Sequence, residues 1–179
     1  MRKENIKEYR TILVIIVLLT LFSLFVSLRG GKVMIKEAGQ DALLPQSDYV
    51  VQTEHGSLTV GKSSWEEVQH LFPQGKNLGN STIYHPDDQP IFFTFSKKEN
   101  ILTDIHIQGG SLATYRGIRV GDSLEKLTTA YGSNYTTIST GEAGNVDVVY
   151  GRGNDIVFQV RGNLVNAIVL QHGITWPAT

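Results

Sequence analysis

The chain has 179 residues, 41% of them hydrophobic, and a net charge of −1, which suffices for one compact domain plus appendages without covalent staples. It contains no cysteine, which excludes disulfides, thiolate metal sites, a cysteine nucleophile and a lipidated cysteine. Of its 16 basic and 17 acidic residues, four and two precede residue 11, and the mildly acidic remainder, spread without blocks, excludes nucleic acid as the main ligand.

Residues 11–28, TILVIIVLLTLFSLFVSL, form an 18-residue run without charge. As a helix it would extend roughly 27 Å, enough to cross a bilayer. The run is apolar on every face, unlike a core helix beside solvent. Arg2, Lys3, Lys7 and Arg10 precede it and predict a cytoplasmic tail at 1–10, with the rest of the chain outside the membrane. A secretory signal has an apolar core of about 7–15 residues and a small-residue cleavage site, so this pattern predicts an uncleaved signal anchor. Residues 29–54, with Gly30, Gly31, Gly39 and Pro45, read as a stalk, although Tyr49 to Gln52 also reads as a first edge strand.

Beyond the stalk the chain is written twice, as repeat 1 at 55–110 and repeat 2 at 111–173, followed by a tail at 174–179. Leu58-Thr59-Val60-Gly61 and Ser64-Trp65-Glu66-Glu67-Val68 return as Ile118-Arg119-Val120-Gly121 and Ser123-Leu124-Glu125-Lys126-Leu127. Residues 95–108 return as 158–171 without a gap. Ser64 with Glu67, and Asp122 with Glu125, are spaced to cap helices. Trp65, Val68, Leu71 and Phe72, and Leu124, Leu127, Ala130 and Tyr131, then mark one helical face each, ended by Pro73 and Gly132. Such short helices need a surface to dock on.

Alternation at Phe93 and Phe95 and at Ile105 and Ile107 predicts half-buried antiparallel strands, with turns at Lys98-Glu99-Asn100 and Arg161-Gly162-Asn163. Asn100 and Asn163 tolerate the positive φ of such turns. Gly61 and Gly121 read as backbone pivots between a short strand and a helix, without the richer glycine pattern of a phosphate loop. The expected fold is α+β: an N-terminal transmembrane helix, then two strand-helix-three-strand repeats forming antiparallel sheet, either one continuous curved sheet with both short helices on one face, the favoured arrangement, or two small sheets facing each other.

The pattern apolar-x-Val-Gly-x-Ser-apolar-Glu-x-apolar, then Tyr-Gly or Phe-Pro and a meander of strands, resembles the tandem repeat of the β-lactamase-inhibitor-protein-like fold. It is also similar to small helix-plus-sheet modules of secreted and envelope proteins in Gram-positive bacteria. The resemblance covers about residues 58–171. It implies an α+β sheet whose exposed face binds another protein, in a group that ranges from enzyme inhibitors to envelope-assembly lipoproteins. No motif carries the inhibitors' enzyme-contacting residues onto this chain.

The five histidines, His55, His70, His85, His106 and His172, lack metal-ligand spacing. His85-Pro86-Asp87-Asp88 is the one local cluster of possible cation ligands, in a turn. No nucleophile-base motif or carboxylate pair is legible, so neither catalysis nor a cofactor is expected. The candidate binding residues are Tyr84, Tyr115, Tyr135 and Trp176, with Phe92, Thr94 and Tyr150 beside them, because Tyr and Trp bury large areas with few rotamers to freeze. The sequence thus predicts an extracytoplasmic module that binds another envelope or secreted protein, held by the lipid bilayer through 11–28. The alternatives are a module in which Tyr84, Tyr115 and Trp176 stack on glycan rings, and an envelope enzyme with a concave cluster of titrating groups.

Overall fold

The structure, a computed structural model, describes residues 34–36, 43–79, 82–110, 112–139, 141 and 144–173, all within one compact unit, Met34–Thr179. The apolar run 11–28 and Trp176 lie outside the described residues. Among the described residues no helix is long and apolar enough to cross a membrane.

The fold is α+β. A first strand, β1 (Met34–Lys36), is followed by a 3-10 turn (Gln46–Tyr49) and the hairpin β2 (Val50–Thr53) and β3 (Gly56–Thr59). Repeat 1 continues with α1 (Trp65–Leu71), β4 (Gly75–Asn77), β5 (Ile83–Pro86), β6 (Ile91–Phe95) and β7 (Leu102–Ile107). Repeat 2 has β8 (Ala113–Thr114), α2 (Leu124–Tyr131), β9 (Thr136–Ser139), β10 (Asn145–Gly151), β11 (Asn154–Arg161) and β12 (Leu164–His172). Each helix is therefore followed by four strands rather than three. The unexpected ones, β4 and β9, lack the alternation that marks a half-buried strand: Gly75, Lys76 and Asn77 are all exposed, and β9 is half-buried throughout.

Both meanders join one antiparallel sheet of nine strands, in the order β1-β9-β10-β11-β12-β7-β6-β5-β4. The repeats meet through their last strands, where Ile105 pairs with Leu170 and Ile107 with Ile168. Because Ile105 is equivalent to Ile168 and Ile107 to Leu170, the two pairs exchange under a local two-fold axis that runs between His106 and Val169, themselves a pair. A second sheet, β3-β2-β8, lies apart from it in hydrogen bonding. Strand β1 already pairs with β9, and Val51 and Tyr49 are buried, so parts of the segment read as stalk belong to the fold, and the expected edge strand at 49–52 is β2, the central strand of the small sheet.

Period-two patterning carries one side of the large sheet into the core. Tyr150, Ile156, Leu170, Ile105, Phe93 and Tyr84 form one cross-strand row, and all six are buried. Burying such a side chain contributes about 1.5–3 kcal/mol. Phe72, just after α1, packs on Phe93 at 5.1 Å between ring centroids, and Tyr131 of α2 packs on Phe158 at 5.2 Å. Phe158 pairs with Val148 and Ile168, the row beside Tyr150 and Leu170 and in the same phase, so both helices cover the same face.

Those ring contacts also correct the ungapped alignment of the repeats. The structural equivalent of Phe158 is Phe93, not Phe95. Phe95 pairs with Leu102 across six intervening residues, whereas Val160 pairs with Val165 across four, so the turn of repeat 1 is longer by two. A shift of two residues preserves the side-chain phase, and hydrophobic pattern alone cannot detect it.

The turns themselves are copied closely. Gly61 N–H donates to Leu102 O and Gly121 N–H to Val165 O, each at 2.7 Å. Trp65 N–H donates to Asn100 O at 3.2 Å, and Leu124 N–H to Asn163 O at 3.0 Å. Asn100 and Asn163 have φ of 57° and 71°, as their turns require. Ser64 and Glu67 form the expected capping box on α1. On α2 the cap is Ser123, which accepts from Lys126 N, rather than Asp122; Asp122 instead accepts from Arg119 N and pairs with Lys126 Nζ. Ile118 to Val120 form a loop rather than a strand, tied to β8 through Thr114 N–H donating to Ile118 O.

Candidate functional site

The side of the large sheet away from the helices is built by the alternate residues of the same strands. Reading across, Val149, Val157, Val169, His106, Phe92 and His85 form a continuous row through β10, β11, β12, β7, β6 and β5. Five of the six are half-buried, and Val149 is buried. The His85 and Phe92 rings stack at 4.5 Å between centroids, and Phe92 lies 6.1 Å from His106. His85 Nδ1 sits 3.0 Å from Ile91 O, which fixes the ring. His106 Nε2 is enclosed and has no hydrogen-bond partner among the described residues, and burial lowers its pKa from the ordinary histidine value.

A polar row flanks this stripe on one side and a mixed row on the other, with Asp155 and Ala167 in them buried. On one side run Asp155, Gln171, Asp104 and Thr94. The Thr103 hydroxyl donates to Asp104 Oδ2 at 2.8 Å, and burial still raises the Asp104 pKa against that bond and one from Gln171. On the other side run Ala167, Gln159, Asp147 and Ile138, then Ile35, which is 61% exposed on β1. Arg161 Nη1 donates to Asp147 Oδ1 at 2.9 Å. The face thus carries an apolar and aromatic centre with a polar row on one side and a mixed row on the other.

The residues picked from sequence fall elsewhere. Tyr84 belongs to the core: it is buried, and its hydroxyl donates to the carbonyl of Phe72, the cap at the end of α1. Tyr150 makes the corresponding bond to the Gly132 carbonyl after α2 and is also buried, so neither is free to contact a partner. Tyr135 is half-buried and packs on Tyr150 at 5.4 Å. Among the described candidates Tyr115, at 55%, is the exposed one. Tyr84 and the β9 end near Tyr135 are six strand spacings apart, about 29 Å, so these tyrosines form no common patch. Phe92 and Thr94 do lie on the open face. Sequence reading missed His106, Val157 and Val169, although their phase, opposite to Ile105, Ile156 and Leu170, was available to identify them.

Among the described residues no three His, Asp or Glu side chains gather in a way that could hold a metal ion. No family model matches the chain, and no curated protein or solved structure matches it either.

Proposed function

We propose that this chain is a single-pass, membrane-anchored protein of a bacterial envelope whose outward domain binds another folded envelope or secreted protein through the open face of the nine-stranded sheet. In this reading residues 11–28 are the anchor, and the domain recognises its partner without catalysing a reaction. The observation that carries it is the row Val149, Val157, Val169, His106, Phe92 and His85, apolar and aromatic along its length, with the polar row Asp155, Gln171, Asp104 and Thr94 on one side. The area is adequate. Nine strands at about 4.8 Å spacing and a typical strand length near 18 Å give roughly 700 Å², close to the 800 Å² per partner of a standard interface. Partner contact through an exposed sheet face is also what the resemblance to β-lactamase-inhibitor-protein-like repeats implies.

The test is photocrosslinking in intact cells with the reactive group at Phe92, Val157 or Val169, and at Tyr115 and Glu125 for comparison. One dominant protein captured from the three open-face positions and not from the other two supports the reading. Equal capture from both sets, or none, overturns it. Protease accessibility of the domain in spheroplasts tests the anchor and its orientation separately.

A further inference from the structure

Repeat 2 serves as an internal reference for repeat 1, and the two differ most where α1 begins. Trp65, Thr82 and Phe95 stand in repeat 1 where Leu124, Val146 and Val160 stand in repeat 2, because Phe95 N–H donates to Thr82 O just as Val160 pairs with Val146. In repeat 2 this position is all aliphatic. In repeat 1 the exchanged residues, with Asn77 of β4 and Asn100 of the longer turn, line an open cleft of about 230 Å³. The Trp65 ring is held edge-on by Tyr84 and Phe95 at 5.3 and 4.8 Å, so its position is fixed before anything binds. Asn100 is pinned by its carbonyl, which accepts from Trp65 N–H.

We propose that this cleft is a binding site for one ring of a neutral saccharide. Its five described lining residues carry two aromatic rings, two carboxamides and one hydroxyl and no charge of their own, and the carboxylate of Glu66, whose Oε1 accepts from Asn100 Nδ2 at 3.5 Å, disfavours an anionic ligand. A pyranose offers what such a lining recognises: a face of C–H groups for the indole and a rim of hydroxyls for amide donors and acceptors. The volume lies below the 300–1,000 Å³ of drug-sized pockets, so one ring fits and the rest of a glycan would extend into solvent. The site lies on the helix side of the sheet and does not depend on the open face binding a protein.

The decisive experiment is a heteronuclear NMR titration of the full chain in detergent micelles with N-acetylglucosamine, glucose and galactose, following the side-chain amide signals of Asn77 and Asn100. At least one sugar should shift both signals saturably. Trp65→Leu and Thr82→Val install the residue types that repeat 2 holds at the equivalent positions, with Thr82→Val the milder because Trp65 also packs on Tyr84 and Phe95, and each should weaken binding by about tenfold, on the scale of one lost aromatic or polar contact. Comparing the active monosaccharide with its linear tetramer then separates a free sugar from the end of a glycan chain. No shift at Asn77 and Asn100 with any of the three sugars overturns the proposal, as does binding that both variants leave unchanged while their thermal unfolding stays like that of the parent.

Discussion

Arg116 grips Asp48 with both arms of a bidentate pair, Nε to Oδ1 at 2.8 Å and Nη2 to Oδ2 at 2.6 Å. The third guanidinium nitrogen, Nη1, donates to the Ala130 carbonyl at 3.0 Å, and the group lies 4.6 Å above the Tyr131 ring. One side chain thus fastens the 3-10 turn ahead of β2 to the end of α2, linking the entry of the chain to repeat 2. Bonding to Asp48 raises the Arg116 pKa, and burial, with the Asp155 and Asp48 charges adding to it, raises that of Tyr49 to about 12. Asp48 is fully buried while the Arg116 side chain is 30% exposed, so the partners are not equally replaceable. Arg116→Met strands a buried carboxylate and should cost about 3 kcal/mol, the low end for breaking such a pair because water reaches the guanidinium. Asp48→Asn keeps an acceptor and should cost less. Urea unfolding of both variants and of the double variant checks this, and additive costs would mean that the pair is not coupled.

Duplication supplies controls for the helix caps. Ser64 has the reciprocal bond from Glu67, whose Oε2 accepts from Ser64 N–H at 3.0 Å, whereas Ser123 caps α2 through Lys126 N alone. Ser64→Ala should cost about 1 kcal/mol, and Glu67→Ala should cost a measurable part of that through the second half of the box. Replacing Glu125, the residue of α2 that sequence spacing suggests as the reciprocal partner, should leave stability nearly unchanged in thermal unfolding. A loss equal to that of Glu67→Ala would show a second box.

His106 makes the open face sensitive to acid. Its pKa is lowered by burial, so between that value and the ordinary 6.5 the unfolded chain binds more protons than the folded one, and stability falls as pH drops through this window. Asp104, in the next row of β7, acts with the opposite sign, because its raised pKa makes folding easier as the carboxyl takes up its proton. His85 reaches His106 through Phe92, and Asp155 lies across the sheet in the Asp104 row. His106→Val copies Val169, its partner across the two-fold axis, and removes an enclosed ring nitrogen that has no hydrogen-bond partner among the described residues. The parent should lose thermal stability between about pH 7 and pH 5 and the variant should lose less. Equal losses would assign the acid sensitivity to other groups.

Much of this arrangement can be read from the sequence. The helices, the turns at Asn100 and Asn163 and the apolar phase of the core strands follow from local chemistry that both repeats must satisfy. Where the reading departs from the structure, local signals are silent or equivocal. Strand β4, Gly-Lys-Asn, is exposed and held by pairing with β5 alone, so no burial imprints a pattern on it. Asp122 and Ser123 are both good caps in adjacent positions, and only geometry separates them. Tyr84 and Tyr150 look like interface residues because a tyrosine that uses its hydroxyl on a helix-end carbonyl has the same composition signal as one that uses it on a partner. The open-face row eluded the sequence because valines opposite a core phase look like core themselves.

Gly61 and Gly121 show what one contact adds to a shared backbone requirement. Both have positive φ, 81° and 92°, and both donate the copied 2.7 Å bond, so alanine meets the same left-handed strain in each. A Cβ at Gly121 meets nothing within 4 Å, but at Gly61 it would lie 2.7 Å from His172 Nδ1 and 2.8 Å from Cγ, on the last strand of the other repeat. Gly121→Ala should therefore cost the strain alone, about 1–2 kcal/mol. Gly61→Ala must also displace the imidazole, which is exposed and can swing away, so it should cost about 1 kcal/mol more. Adding His172→Ala to Gly61→Ala clears the space and should bring its cost down to that of Gly121→Ala. Chemical unfolding of the three variants reads this directly, and equal costs for the two single glycine replacements would show that His172 does not press on the turn.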